Sequence, residues 1–154
     1  MSKNGRFSVV TNIRRKFKSP ILNDISRGLI VSEFLGGVSS SPMEYCQQLL
    51  KKASEYDGFN LITAQLGSSD SRQLAYCSNR LDDVQILGSG TYMVGNEFLN
   101  SPWAKTTHAK TLFEEVISRA DVLTKEQLTE QLLEVLSDTT CLSLIHISEP
   151  TRPY

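Results

Sequence analysis

Two hydrophobic periods alternate along this chain, and their order is the feature that most constrains the fold. Segments typical of strands, rich in β-branched residues or bounded by turn residues, occur at 7–13, 59–66, 72–78, 84–87 and 91–95. Apolar residues at the three- and four-residue spacing of helices occur at 24–35, 42–53, 102–120 and 124–136. The order is one strand, two helices, a run of strands joined by short turns, and two more helices. This order predicts an α+β fold with an antiparallel sheet flanked by helices.

Three of the predicted helices carry a sequence signal for their first turn. Ser41 is followed by proline and, three residues on, by Glu44, which is the spacing of a capping box. Thr124 and Gln127 have the spacing of a second capping box, at the start of the last helix. The proline after Ser101 marks the start of the helix at 102–120. These signals fix where the helices begin more firmly than propensity alone.

The composition indicates an ordinary soluble domain with no resident metal or cofactor. Of the 154 residues 40% are hydrophobic, and no apolar run approaches the roughly 20 residues of a membrane-spanning helix. The N-terminus has no secretory signal, and a net charge of -1 gives no argument for nucleic-acid binding. Cys46, Cys77 and Cys141 are too widely spaced for a zinc cluster, and neither His108 nor His146 has a partner ligand. We expect reduced, intracellular thiols.

The charge balance hides an asymmetry along the chain. Residues 1–30 contain seven basic residues and one acidic residue, a formal charge of +6, which leaves nine basic and sixteen acidic residues, or -7, for the remainder. An acid-poor start that contains Ser and Arg is also typical of a mitochondrial presequence. Because 7–13 has the pattern of a strand and Pro20 interrupts any long helix, we favour a solvated basic loop at 14–18.

The last residues have a different origin in our interpretation. Residues 142–152 resemble the frame translation of a transposase-based sequencing adapter through all eleven positions. We therefore exclude 142–154, including His146, from reasoning about the fold and the site. Residues 1–141 are interpreted as part of one domain.

Several segments together resemble a known family. The matching pieces are residues 7–12, Ser26-Arg27-Gly28 with Phe34-Leu35, Tyr56-Asp57-Gly58-Phe59-Asn60-Leu61-Ile62, Tyr76-Cys77-Ser78-Asn79-Arg80, Gly90-Thr91-Tyr92, Asn96, Leu99, Ser101-Pro102-Trp103, Lys105, Lys110 and Phe113. In this order and spacing they resemble the transport and Golgi organisation protein 2 family, also called the NRDE-motif family. The resemblance extends from residue 7 to about 136.

The resemblance implies a layered sandwich similar to the N-terminal-nucleophile hydrolases, with antiparallel sheets flanked by helices. Such enzymes use a Cys, Ser or Thr that follows the initiator methionine, with its own amine as the base. Family members begin Met-Cys and carry an early Asn-Arg-Asp-Glu motif, and this sequence has neither. Ser2 aligns inside the family domain and is a poor nucleophile candidate. We therefore expect an incomplete sandwich, truncated at both ends, with no catalytic residue.

Five residues are candidates for ligand binding, each with a structural alternative. Asn12 and Asn96 end strand-like segments, where the resembled fold could place the polar groups that stabilise an oxyanion. Asn is also common in turns, and we favour this second interpretation for both residues. Asn79 and Arg80 could bind a carboxylate or phosphate, or form a solvated turn. Trp103 could stack on a ligand, although we favour a role in anchoring its helix.

Three other residues have simpler interpretations as structural groups. Cys77 alternates with Tyr76 in a strand and is predicted to be a small core residue. His108 is predicted to lie on the polar side of its helix rather than to bind haem. The serines at 39–41 suit helix capping better than nucleophilic chemistry.

The resemblance leaves three hypotheses for function. The first is a non-catalytic cytoplasmic protein of secretory-pathway or Golgi maintenance, with possible partners that include haem or an acyl lipid and with Golgi or mitochondrial association. The second is an N-terminal-nucleophile amidohydrolase whose catalytic start is missing here. The third is a short form without independent function, because missing sheet partners would expose strand edges and an apolar sheet face.

Overall fold

The computed structural model describes residues 2–13, 25–37, 41–67 and 72–140. They form strand β1 (Arg6–Asn12), helices α1 (Gly28–Gly36) and α2 (Pro42–Leu50), strands β2 (Phe59–Gln65), β3 (Gln73–Ser78) and β4 (Gln85–Leu87), and helices α3 (Ala104–Ile117) and α4 (Lys125–Ser137). Short 3₁₀ turns occupy Ala53–Glu55 and Ala120–Val122. The basic loop at 14–18, the serines at 39 and 40, Cys141 and the tail at 142–154 lie outside the described residues.

The four strands form one antiparallel sheet in the order β1-β2-β3-β4. The α+β prediction is therefore confirmed. The strand predicted at 91–95 is wrong, because this segment closes on itself instead of joining the sheet. The backbone N–H of Met93 donates to Asn100 Oδ1 at 3.1 Å, and the carbonyl of Met93 accepts from the N–H of Asn100 at 2.7 Å. Asn100 adopts a φ of 57°, which a tight turn permits.

The two faces of the sheet differ in what covers them. Residues paired directly across antiparallel strands point to the same face, so the register defines the two sets. The face that packs on α1 and α2, here called the helical face, carries Val10, Phe59, Leu61, Ala75 and Cys77. The opposite face, here called the second face, carries Phe7, Val9, Thr11, Asn60, Ile62, Ala64, Leu74, Tyr76 and Ser78.

The core lies between the helical face and the two short helices. Ile30 and Phe34 of α1 and Tyr45 and Leu49 of α2 are buried against the strands. The Tyr45 hydroxyl donates to the carbonyl of Ile30 at 2.6 Å and so ties α2 to α1. Burial, and secondarily the charge of Glu33, raises the pKa of this hydroxyl, which keeps it a donor.

Two of the three predicted helix starts follow their sequence signals, whereas α3 begins at Ala104 with Trp103 before it and without a side-chain cap, two residues after the predicted start. Ser41 accepts a hydrogen bond from the Glu44 N–H at 3.2 Å and begins α2, as predicted. Thr124 and Gln127 make both bonds of the predicted capping box at the start of α4. Helix α1 ends at Gly37, whose φ of 88° a side chain would oppose.

The chain divides into two units, one of residues 1–90 with 94–99 and one of residues 91–93 with 100–154. The first holds the sheet with α1 and α2. The second holds the antiparallel pair α3 and α4, in whose described part Val116 alone is buried. None of the helices in the described ranges has the length and apolar character needed to cross a membrane.

Candidate functional site

Four of the five predicted binding residues lie at one end of the sheet. This is the end where β1 finishes, β2 begins and β3 finishes, and the residues are Asn12, Asn79, Arg80 and Asn96. Asn12 pairs with Phe59 in the register of β1 and β2. The turn after β3, which carries Asn79 and Arg80, closes onto the start of β2. We call this region the sheet end.

Asn79 is the centre of hydrogen bonding at the sheet end. Its Oδ1 accepts from the N–H of Phe59 at 2.9 Å. Its Nδ2 donates to the carbonyls of Ala53, Tyr56 and Asp57 at 3.2, 3.1 and 2.9 Å. A side-chain amide has two N–H hydrogens, so these three acceptors occupy both of them. Asn79 thereby fixes the path of the backbone from Ala53 to Phe59.

Gly58 is where several groups of this loop converge. Its carbonyl accepts from the N–H of Ile13 at 2.9 Å and from Arg27 Nη1 at 3.0 Å. A Cβ at this position would lie 3.1 Å from the carbonyl oxygen of Ile13 and 3.4 Å from Arg80 Nε. Only a residue without a side chain fits without displacing its neighbours.

Arg80 is exposed beside Gly58. Its backbone N–H donates to Ser78 Oγ at 3.2 Å, which anchors the turn while the guanidinium stays at the surface. A guanidinium in this position suits a carboxylate or phosphate.

Asn12 and Asn96 are brought together as a pair. Asn96 Nδ2 donates to the backbone carbonyl of Asn12 at 3.0 Å, and both residues are exposed. The contact joins the 94–99 segment to the end of β1. The Asn96 amide is used here to hold a loop, in keeping with the turn interpretation.

A buried polar network on the second face lies next to this pair, and the sequence analysis missed it. Asn60 is 1% exposed; its Nδ2 donates to the carbonyl of Glu97 at 2.7 Å and contacts Thr11 Oγ1 at 3.2 Å and the carbonyl of Gly95 at 3.4 Å. Its Oδ1 accepts from the hydroxyl of Tyr76 at 2.8 Å. The signal in the sequence is one Asn inside an otherwise apolar strand start.

The same network holds the 94–99 segment through two further bonds. Thr11 Oγ1 donates to the carbonyl of Gly95 at 2.7 Å, and the N–H of Leu99 donates to the Tyr76 hydroxyl at 3.2 Å. Burial raises the pKa of Tyr76, so it remains the neutral donor to Asn60. The polar side chains of the second face therefore bind backbone atoms of a loop.

The remaining part of the second face is apolar, and its β1 edge is exposed. Phe7 and Val9, two residues apart on β1, are 39% and 38% exposed. They pair across the sheet with Ala64 and Ile62. Single exposed apolar residues are common on protein surfaces, but neighbouring ones on one sheet face form a patch.

Trp103 belongs to the other unit, at the start of α3. Its backbone N–H donates to the carbonyl of Ser101 at 2.8 Å, and its carbonyl accepts from the N–H of Thr107 at 2.8 Å. The hydroxyl of Thr106 also donates to this carbonyl at 3.0 Å. Its backbone therefore forms the first turn of the helix, and the ring is half-buried.

His108 lies in α3 and is paired with a carboxylate of the same unit. Its Nε2 is 2.8 Å from Asp138 Oδ2. Hydrogen bonds from Thr140, and after them the contact with His108, hold the pKa of Asp138 below its usual range. In the described parts of the chain no three His, Cys, Asp or Glu side chains come together as a metal site.

Ser2 precedes β1 and is held in its turn. Its N–H donates to the carbonyl of Arg6 at 2.8 Å, and its Oγ accepts from the N–H of Arg6 at 3.1 Å. Cys77 is fully buried on the helical face, which confirms that it is a core residue.

The chain is similar to known proteins over most of its length. A protein-family model described as "Transport and Golgi organisation 2" matches residues 1–151. The mouse Transport and Golgi organization 2 homolog is 33% identical over 139 residues, which are 90% of this chain and 49% of that protein. The human homolog is 33% identical over 141 residues, with the same coverage. The Drosophila melanogaster protein is 30% identical over 118 residues, 73% of this chain and 41% of that protein. The chain thus spans about half the length of these relatives.

Proposed function

This chain belongs to the transport and Golgi organisation 2 family, and from that premise we propose that it acts in secretory transport and Golgi maintenance as a binding protein rather than as a catalyst. We further propose that it works from the cytoplasm, in association with Golgi or mitochondrial membranes. Haem or an acyl lipid is the proposed ligand class.

The observation that carries this proposal is how the polar side chains near the sheet end are used. Catalysis needs hydrogen-bond donors aimed at the place where charge develops on a substrate. The amides of Asn79, Asn60 and Asn96 instead donate to backbone carbonyls at distances of 2.7 to 3.4 Å. Groups arranged in this way support loops, and they favour a binding surface over a reaction centre.

An N-terminal-nucleophile amidohydrolase whose catalytic start is missing from this sequence is the alternative, and the bonds of Ser2 indicate that Ser2 does not replace the missing nucleophile. That chemistry needs a terminal hydroxyl or thiol with its own amine as base. Here the Ser2 nitrogen and hydroxyl both bond to the backbone of Arg6. These bonds support a structural role for Ser2 at the start of β1.

The apolar part of the second face supports a ligand with apolar surface. Phe7 and Val9 present a continuous apolar edge on β1. Burying a side chain of this size is worth about 1.5 to 3 kcal/mol, enough to bind an acyl chain or a porphyrin ring together with neighbouring residues. Arg80, exposed at the sheet end, is our candidate for a carboxylate or phosphate of the ligand. Binding roles for Asn12, Asn96 and Trp103 remain predictions.

The test is rescue in cells depleted of their own family member. Secretion of a reporter protein and the compactness of the Golgi are measured after expression of this chain. We expect rescue by the unaltered chain and by Ser2→Ala, and reduced rescue by Phe7→Ser. Leu136→Ser is the matched control, because Leu136 is an exposed apolar residue of the other unit, at 82% exposure.

Two results would overturn the proposal. Failure of the unaltered chain to restore secretion, at an expression level equal to that of a relative that does restore it, would remove the proposed role. Full rescue by Phe7→Ser, at an expression level equal to that of the unaltered chain, would remove the second face as the proposed binding surface.

A further inference from the structure

Two cysteines meet in the core of the first unit, although neither the fold nor the proposed binding role needs a thiol. Cys46 lies on α2 and Cys77 on β3, and both belong to the cluster of buried residues between the helices and the helical face. Both side chains are fully shielded from solvent. Apolar residues of similar size would fill the same space.

The sheet register shows how closely they approach. Leu61 pairs with Cys77 and Thr63 with Ala75, so Thr63 and Cys77 are diagonal neighbours on the helical face. The sulfur of Cys46 is 3.6 Å from Thr63 Oγ1. Helix α2, which packs against β3, thus places the Cys46 sulfur over the Thr63–Cys77 diagonal, close enough for each thiol to shift the pKa of the other.

The arrangement makes the two thiols unequal. The hydrogen bond from Cys77 lowers the pKa of Cys46 despite the opposing effect of burial, and Thr63 lowers it further. The same bond, together with burial, raises the pKa of Cys77. We therefore assign Cys46 as the attacking sulfur, because the Thr63 hydroxyl 3.6 Å from it can also stabilise its thiolate.

We propose that Cys46 and Cys77 are an oxidisable dithiol, which a hydroperoxide converts into a disulfide that links α2 to β3. The Cys46 thiolate attacks one peroxide oxygen, the O–O bond breaks, and the sulfur becomes a sulfenic acid as hydroxide leaves. The Cys77 sulfur then attacks the Cys46 sulfur and forms the S–S bond. The sulfenic oxygen leaves with the Cys77 proton as water, so each sulfur is oxidised by one electron and the peroxide is reduced.

Access for the peroxide comes from local opening of α2. This helix has nine residues, and its C-terminal turn continues into the short 3₁₀ turn at Ala53–Glu55. Short elements at the surface open at lower free energy than the whole unit unfolds. The disulfide would then hold α2 against β3 and oppose that opening.

Peptide mass spectrometry of the intact chain tests the proposal. Trypsin places the three cysteines in different peptides, because Cys46 falls in 28–51, Cys77 in 73–80 and Cys141 in 126–154. Folded protein is treated with hydrogen peroxide, blocked with N-ethylmaleimide in denaturant and digested. We expect the 28–51 and 73–80 peptides to be linked, and the linkage to disappear when the protein is unfolded in urea before oxidation.

Paired variants test the assigned order of the two steps. In Cys77→Ala, dimedone added with denaturant is expected to label Cys46 as a sulfenic acid, whereas in Cys46→Ala it is expected to leave Cys77 unlabelled. Thr63→Val should slow oxidation about fivefold, the effect of one lost hydrogen bond. Cys141→Ala is the control and should change nothing.

Three outcomes would overturn the proposal. They are no linkage between 28–51 and 73–80, a linkage that forms equally well in urea, and stronger dimedone labelling of Cys77 than of Cys46. Circular dichroism shows whether each alanine variant still folds. If a variant does not fold, the first two outcomes still decide, because the peptide linkage is measured on the unaltered chain.

Discussion

The hydroxyl of Tyr76 donates a hydrogen bond to the side-chain oxygen of Asn60 over 2.8 Å, and both side chains are shielded from solvent on the second face of the sheet. The amide nitrogen of the same Asn60 donates to the carbonyl of Glu97 at 2.7 Å. The hydroxyl of Tyr76 in turn accepts from the N–H of Leu99. One pair of side chains thus holds the 94–99 segment on the sheet.

Replacing Asn60 is expected to be costly. Asn60→Leu leaves the buried Tyr76 hydroxyl without its acceptor and the Glu97 carbonyl without its donor, and an unpaired buried group costs about 1 to 3 kcal/mol. We expect the free energy of unfolding to fall by about 3 kcal/mol in urea titrations followed by circular dichroism. Tyr76→Phe removes the bonds of the hydroxyl to Asn60 and to the Leu99 N–H, and we expect a loss of about 2 kcal/mol. Additive losses in the double variant would contradict a shared network, because partners in contact are expected to couple.

At Asn79, two substitutions separate the loss of the side-chain hydrogen bonds from repulsion between oxygen atoms. Asn79→Ala removes four hydrogen bonds and is expected to destabilise the chain by about 2 kcal/mol. Asn79→Asp keeps the shape but turns a carboxylate oxygen toward three carbonyls. We expect the Asp variant to be the less stable of the two at pH 7, measured by thermal unfolding. Equal stability of Asp and the unaltered residue would show that the amide does not bind these carbonyls.

The helix starts show what the sequence predicts well. Thr124 and Gln127 lie close in the chain, so their bonds depend on local conformation, and the capping box forms as predicted. The role of Asn60 depends on Tyr76 in another strand and on a loop almost forty residues away, which no local pattern contains. The prediction of a strand at 91–95 is wrong for the same reason. Only the hydrogen bonds between Met93 and Asn100 show that the chain turns back here, and a local pattern does not contain them.

For the candidate binding residues too, the sequence predicts local features but not contacts between distant parts of the chain. Sequence placed Asn12, Asn79 and Arg80 next to strand ends, and their gathering at the sheet end follows from the antiparallel register. The sequence could not indicate that the amide of Asn79 faces three carbonyls, because that depends on the exact path of the Ala53–Phe59 backbone.

The capping box of α4 provides a local stability test. Thr124→Ala removes the acceptor of the Gln127 N–H, and loss of such a cap costs about 1 kcal/mol. We expect faster amide hydrogen exchange in the first turn of α4 and unchanged exchange in β2. Thr129→Ala is the matched control, because its hydroxyl donates to a carbonyl within the helix and caps nothing. Unaltered exchange in Thr124→Ala would contradict the role of the cap.

Asp138 links the pH response of the second unit to named partners. Its pKa is depressed, so its contribution to stability is present above the unfolded value of about 3.9 and is lost as the pH falls through the lower folded value. Because the side chains of Thr140 and His108 both hydrogen-bond to this carboxylate, we expect Thr140→Ala and His108→Ala each to raise its pKa. Titration of the carboxyl carbon by NMR measures both shifts. An unchanged pKa in Thr140→Ala would contradict the assignment of its hydroxyl as the main cause.

Ligand titration of the purified chain tests the central claim, that it binds an apolar ligand on the second face of the sheet, most directly. Haem is followed by its Soret absorbance and an acyl-CoA by calorimetry, for the unaltered chain, Phe7→Ser, His108→Ala and Leu136→Ser. The account predicts binding of one of these ligands, weakened about tenfold in Phe7→Ser and unchanged in the two other variants. Binding that survives Phe7→Ser unchanged, or that is lost in His108→Ala, would contradict it, as would failure of the unaltered chain to bind either ligand.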